Sequence, residues 1–162
     1  MVGVEHTCDL ADAAATQDLG RRLAADLLRH PAAGPALLLL QGDLGAGKTC
    51  LVQGLALALG IHEPITSPSF ALAQHYGGQM VDGSATALVH VDLYRLEDSA
   101  SADELFAQEE EEAQALGAML AVEWPQRLTL PPADSWRLEI SLLDPSDPDA
   151  GRQAKLTPPS EP

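Results

Sequence analysis

The chain has 162 residues, 46% hydrophobic but only 4% aromatic, and a formal net charge of −15 from 9 Lys plus Arg against 24 Asp plus Glu. That length suits one domain with a single core built mainly from Leu, Ala and Val, and the charge excludes a protein that grips RNA or DNA by itself through counterion release. No run approaches 18 apolar residues and no secretory leader pattern is seen, so a soluble, cytoplasmic protein is expected; Cys8 and Cys50 carry no metal-ligand spacing.

Taken in order, Met1 to Asp9 reads as an edge strand or a tail. From Leu10 to Leu28 the apolar positions Leu19, Leu23, Ala24, Leu27 and Leu28 repeat with a helical period, with Asp12 or Thr16 available as caps and Arg21, Arg22 and Arg29 facing out. Pro31 to Pro35 stops that helix, and Leu37 to Gln41 follows as a buried strand.

Behind that strand stands Gly42-Asp43-Leu44-Gly45-Ala46-Gly47-Lys48-Thr49, then a helical run from Cys50 to Leu59 closed by Gly60. This is the G-x-x-x-x-G-K-[ST] phosphate loop in its proper context, a strand in front and a helix behind. The chemistry needs the glycines because a Cβ would obstruct a backbone curled so that its N–H groups face phosphate oxygens. Lys48, one of only two lysines in the chain, supplies charge. Thr49 offers a hydroxyl to a Mg²⁺ bridging the terminal phosphates, and the helix N-terminus adds its partial positive charge. The candidate nucleotide-contacting stretch therefore runs from Gly42 to Cys50, where Cys50 itself reads as a small buried residue.

Ser67-Pro68 fixes a turn, and Ser69 to Tyr76 alternates like a strand up to a Gly77-Gly78 break. The Ser and Thr cluster here occupies the position of a switch loop in P-loop hydrolases, or is an ordinary Pro-capped loop. Gln79 to Thr86 reads as a polar hairpin loop. Ala87 to Arg95 reads as an apolar strand that delivers Asp92, a candidate Walker B carboxylate or a strand-end cap. Asp98 to Ala115 is an acid-rich helix whose Glu109 to Glu112 run reads as a solvated face or as a surface for a basic partner.

Ala118 to Glu123 repeats the pattern of an apolar strand ending in a carboxylate, and Glu123 is a candidate for the Mg²⁺ shell or for orienting water. Trp124 follows, as core or as packing for a nucleotide. Trp136 to Leu142 and Arg152 to Thr157 read as a hairpin across an Asp144 to Gly151 turn. The expected fold is α/β, a P-loop NTPase with a mostly parallel central sheet flanked by helices and a C-terminal β-hairpin. One domain over 1–157 is expected, with 158–162 a disordered tail.

The order GDLGAGKT, Ser67-Pro68-Ser69-Phe70, His90-Val91-Asp92-Leu93-Tyr94-Arg95-Leu96 and Val122-Glu123-Trp124-Pro125 resembles the TsaE (YjeE) family over roughly residues 10–155. The resemblance implies an ATPase, weak alone, that serves the TsaD and TsaB proteins in making the t6A base at position 37 of tRNAs reading ANN codons. It implies phosphate binding by Gly45 to Thr49, with Thr49, Glu123 and Asp92 serving Mg²⁺. Asp92 and Glu123 are the candidate catalytic acids beside Lys48. Ser67 and Ser69 lie in the switch-like loop, Trp124 lies near the nucleotide, and Thr16 lies on the adenine side. Ser69 departs from the Thr usual in that loop, keeping the hydroxyl.

Three other readings compete. A small-molecule kinase needs clamping arginines for a second anion, yet only Arg95, Arg127, Arg137 and Arg152 follow the loop, with no pair among them. A GTPase is disfavoured because no lysine stands between Lys48 and Lys155 to form an Asn-Lys-x-Asp turn. A non-hydrolysing nucleotide-binding assembly module uses the same residues as the ATPase and stays open.

Overall fold

The computed structural model describes residues 5–29 and 34–159, apart from the side chain of Ser69. Its centre is strand β2 (Leu37–Gln41), whose four leucines are all buried. A continuous apolar run, without alternation, is what a strand covered on both faces requires. β2 pairs in parallel with β5 (Met119–Glu123) on one side and β6 (Trp136–Leu142) on the other, and β4 (Ala85–Asp92) extends the parallel centre beyond β5. The antiparallel strands β3 (Ala73–Gln79), β7 (Arg152–Thr157) and β1 (His6–Leu10) complete a seven-stranded sheet in the order β1-β7-β6-β2-β5-β4-β3. β6 and β7 are the expected C-terminal hairpin.

Two helices cover one face. α1 (Ala13–Arg29) starts where the Asp12 carboxylate accepts the Ala15 N–H at 2.8 Å, and α2 (Lys48–Ala58) follows the phosphate loop. Both pack on Leu38, Leu40, Leu88, Ala121, Leu138 and Ile140. The alternate residues Leu37, Leu39, Val89, Val91, Leu120 and Val122 turn to the other face, under Ala102, Phe106 and Ala113 of α3 (Ser99–Leu116). Each fully buried leucine contributes about 1.5–3 kcal/mol, so this two-sided leucine core compensates for the scarcity of aromatic rings. α1 and α2 cross almost backbone to backbone: a Cβ on Gly54 would lie 2.0 Å from the Gln17 carbonyl oxygen, and one on Gly20 would lie 2.2 Å from that of Leu51.

Several expectations need correction. Gly77-Gly78 does not break the strand; β3 runs through both, and Gly78 lies so close to the Gly60 carbonyl that a Cβ would stand 2.7 Å from its oxygen. The hairpin loop is correspondingly shorter, closed by the Met80 N–H donating to the Ser84 carbonyl, and Leu93 to Arg95 lie outside β4. Glu109 is not on a solvated face: it is 7% exposed, and its carboxylate meets His75 Nε2 of β3 at 2.7 Å. Within the expected tail from 158, Pro158 is half-buried and Pro159 buried, and residues 160–162 lie outside the described residues, as do 1–4 of the N-terminal stretch and 31–33 of the helix stop. No helix among the described residues is long and apolar enough to cross a membrane.

Candidate functional site

The C-terminal ends of β2, β4 and β5 meet at one edge of the sheet. Register places Glu123 beside Leu40 on one side and Asp92 on the other, and the Trp124 N–H donates to the Leu40 carbonyl at 3.3 Å. Because side chains alternate, His90, Asp92 and Glu123 all project to the face on which α1 and α2 lie.

The phosphate loop leaves β2 on that same face. The Ala46 N–H donates to the Asp43 carbonyl at 3.0 Å, and Gly47 sits at φ +108°, a conformation a residue with a Cβ rarely adopts. Gly47, Lys48 and Thr49 bond no protein acceptor through their N–H groups among the described residues, as expected for the opening turn of a helix. Three N–H donors converging there, backed by the α2 dipole, fit a phosphate group. Asp43 and Leu44 point their side chains outward, while Ala46 is buried.

Lys48 is only 6% exposed. Its Nζ donates to the Gly42 carbonyl at 2.6 Å, stands 3.8 Å from Glu123 Oε1, and lies 4.6 Å from the centre of the Trp124 ring. Glu123 is 3% exposed, and its Oε2 is 2.5 Å from Nε2 of the fully buried His90. A buried carboxylate needs such partners, since unpaired charge in the interior is costly. The two oxygens thus have different neighbours, the cation on one and the imidazole on the other.

Trp124 adopts a left-handed backbone (φ 59°, ψ 49°), a strained choice for a bulky side chain that costs about 1–3 kcal/mol. The indole lies against Lys48 Nζ and against the Tyr94 ring, whose centroid is 4.8 Å away and whose plane is tilted by 48°. Its Nε1–H is buried without a partner among the described residues. Asp92 is half-buried; it accepts the Tyr94 N–H at 3.0 Å, and its other oxygen accepts the Ser67 hydroxyl at 3.4 Å. The switch-like loop is therefore tied to the tip of β4 through Ser67, while the backbone of Ser69 opens a 3-10 turn to Ala71.

On the other side of the loop is a cleft of about 290 Å³ lined by Asp12, Thr16, Gly47, Cys50, Asp149 and Arg152 among others. Thr16 is buried, and its hydroxyl donates to the Asp12 carbonyl at 3.3 Å. Cys50 is half-buried; its thiol donates to the Ala13 carbonyl at 3.1 Å, and burial raises its pKa. Thr49 is half-buried in the first turn of α2. A hollow of about 320 Å³ lies on the opposite face, between Leu39, Pro125, Arg137 and Lys155, away from the phosphate loop.

Sequence reading thus brings together the loop, Asp92, Glu123, Trp124, Thr16 and Cys50, but it misses two residues. His90 is named only within the apolar strand and the family motif, with no role of its own; its signal is the spacing of two from Asp92, which puts both on one face. Arg152 bonds the loop carbonyls of Gly45 and Ala46 from over a hundred positions away, and nothing local announces that.

Comparison with known families decides the relationship. The family model for the threonylcarbamoyl adenosine biosynthesis protein TsaE matches residues 10–153, spanning every element that builds this site. The chain belongs to the TsaE family. Among its TsaE relatives, the tRNA threonylcarbamoyladenosine biosynthesis protein TsaE of Nostoc is 38% identical over 149 residues, covering 92% of this chain and 83% of that protein. The Synechocystis TsaE is 43% identical over 122 residues, covering 74% and 69% of the two chains. The crystal structure of YdiB from Bacillus subtilis superposes with a TM-score of 0.66 at 26% identity, covering 99% of this chain and 88% of that one. TsaE proteins belong to threonylcarbamoyladenosine biosynthesis, and the α/β fold with its phosphate loop is the architecture expected from the sequence.

Proposed function

We propose that this chain is a Mg²⁺-dependent ATPase that supports tRNA threonylcarbamoyladenosine modification by acting on a TsaD–TsaB complex, and not on tRNA alone. The observation that carries the reading is the buried Lys48–Glu123 pair, 3.8 Å apart, together with the Gly47 to Thr49 N–H groups that bond no protein acceptor among the described residues.

In this reading the loop N–H groups hold the β-phosphate and Lys48 neutralises the terminal phosphates. The Thr49 hydroxyl, Glu123 and Asp92 would hold Mg²⁺, which is usually bound by one or two carboxylates together with phosphate oxygens. Bound there, the ion would neutralise charge developing on the phosphates. Glu123 orients the attacking water or the metal shell through the oxygen facing Lys48, while His90 fixes the other oxygen. Asp92 links that chemistry to Ser67, so the 67–71 segment senses the state of the site. Thr16, Cys50 and Trp124 border the rest of the nucleotide.

The resting geometry favours slow turnover by the isolated chain. Lys48 is held by the Gly42 carbonyl, Glu123 and the Trp124 face, so a partner that rearranges Trp124 or the Ser67 loop frees it for phosphate. Steady-state ATP consumption with Mg²⁺ tests this, for the chain alone and with TsaB and TsaD. Low turnover alone, a rise in the complex and loss in Glu123→Gln are expected. No ATP consumption in either state would contradict hydrolysis and favour the non-hydrolysing module.

A further inference from the structure

Arg152 opens β7, and its guanidinium donates only to backbone. Nε bonds the Ala46 carbonyl at 3.0 Å and Nη2 bonds the Gly45 carbonyl at 3.2 Å, while Nη1 bonds the carbonyls of Pro148 at 2.5 Å and Gly151 at 3.3 Å. A guanidinium has five N–H donors in a rigid planar fork, so these four bonds fix its plane and leave one N–H over. No carboxylate forms an ion pair with it among the described residues, although acids far outnumber bases in the chain.

The two loop bonds have a defined consequence for the backbone. In a trans peptide the C=O and N–H point in opposite directions, so gripping the Ala46 carbonyl from outside turns the Gly47 N–H inward. The preceding peptide is fixed at both ends, by Arg152 on the Gly45 carbonyl and by the Asp43 carbonyl on the Ala46 N–H. The loop is also braced by β6: a Cβ on Gly42 would stand 2.7 Å from the Ile140 carbonyl oxygen. The C-terminal hairpin therefore holds the phosphate loop from two sides.

We propose that Arg152 is a positioning residue for polyphosphate: its fork aims the Gly47 N–H into the cradle and sets a guanidinium, in no ion pair among the described residues, at the edge of the nucleotide cleft that Asp12 and Asp149 also line. The inference rests on the nucleotide-binding reading above and goes beyond it by assigning the loop's geometry to the hairpin. Calorimetric titration of Mg·ADP into the wild-type chain, Arg152→Lys and Arg152→Gln tests it, alongside thermal melting and amide hydrogen exchange without nucleotide. Wild type should bind. Arg152→Gln should bind about 30-fold more weakly, from the loss of two charge-assisted bonds, and Arg152→Lys, with its charge but no fork, should fall between. Exchange should quicken at Ala46, whose N–H bonds the Asp43 carbonyl, while β6 and β7 stay protected.

If wild type itself fails to bind, the nucleotide reading falls and this inference with it. If wild type binds and both variants bind equally well, the inference alone is overturned. Weaker binding accompanied by lost protection throughout the hairpin also overturns it, because Arg152 would then merely hold β7 in place. Should Arg152→Gln not fold, Arg152→Lys decides: wild-type affinity overturns the inference, and weakened affinity with an unchanged melting temperature supports it.

Discussion

Lys48 and Glu123 are almost wholly removed from solvent, and His90 completely so, which ties the proposed chemistry to folding. A carboxylate buried this deeply remains acceptable only while each oxygen keeps a partner, and His90 is the partner of Oε2. His90→Phe should therefore destabilise the chain by about 2–3 kcal/mol in chemical denaturation and also lower turnover, whereas His90→Gln, which retains a donor, should recover much of both. A stable, active His90→Phe variant would remove His90 from the account. The sequence made the loop legible because all its requirements fall within eight consecutive residues. It made Asp92 and Glu123 legible because a strand end is a local feature. His90 was half visible through the strand period, and Arg152 not at all, since its bond to the loop depends on how the last hairpin closes on the sheet.

The helices and strands followed closely from apolar periodicity, and the errors share a cause. Gly77-Gly78 carries the local signature of a break, yet the sheet retains the pair, and at Gly78 β3 passes the Gly60 carbonyl so closely that only glycine fits. Glu109 carries the local signature of a solvated acid, yet α3 turns it onto His75 at the sheet edge. Neither neighbour is near in sequence. The α1–α2 crossing is a third case, because a glycine inside a helical pattern reads only as a propensity cost of about 1 kcal/mol. Here the cost of replacement is steric. Gly54→Ala would push a methyl group against the Gln17 carbonyl, so the helices must separate, and a loss of about 3 kcal/mol or more in denaturant unfolding is expected. A loss below about 1 kcal/mol would show that the crossing is looser than described. Since α1 also carries Thr16 to the loop, the same variant should weaken nucleotide binding.

Taken whole, the molecule concentrates a few cations at one sheet edge within a chain of net charge −15. Long-range attraction for polyphosphate is absent, so affinity has to come from the loop donors, Lys48, Arg152 and a divalent cation at short range. The same charge disfavours direct capture of tRNA by counterion release, which accords with the proposed action on a TsaD–TsaB complex. The central claim is that this edge is a nucleotide site, and isothermal titration of Mg·ADP and a non-hydrolysable Mg·ATP analogue tests it most directly. The account predicts saturable heat with the wild-type chain and its loss in Lys48→Ala; no heat with either nucleotide, or unchanged affinity in Lys48→Ala, would contradict it.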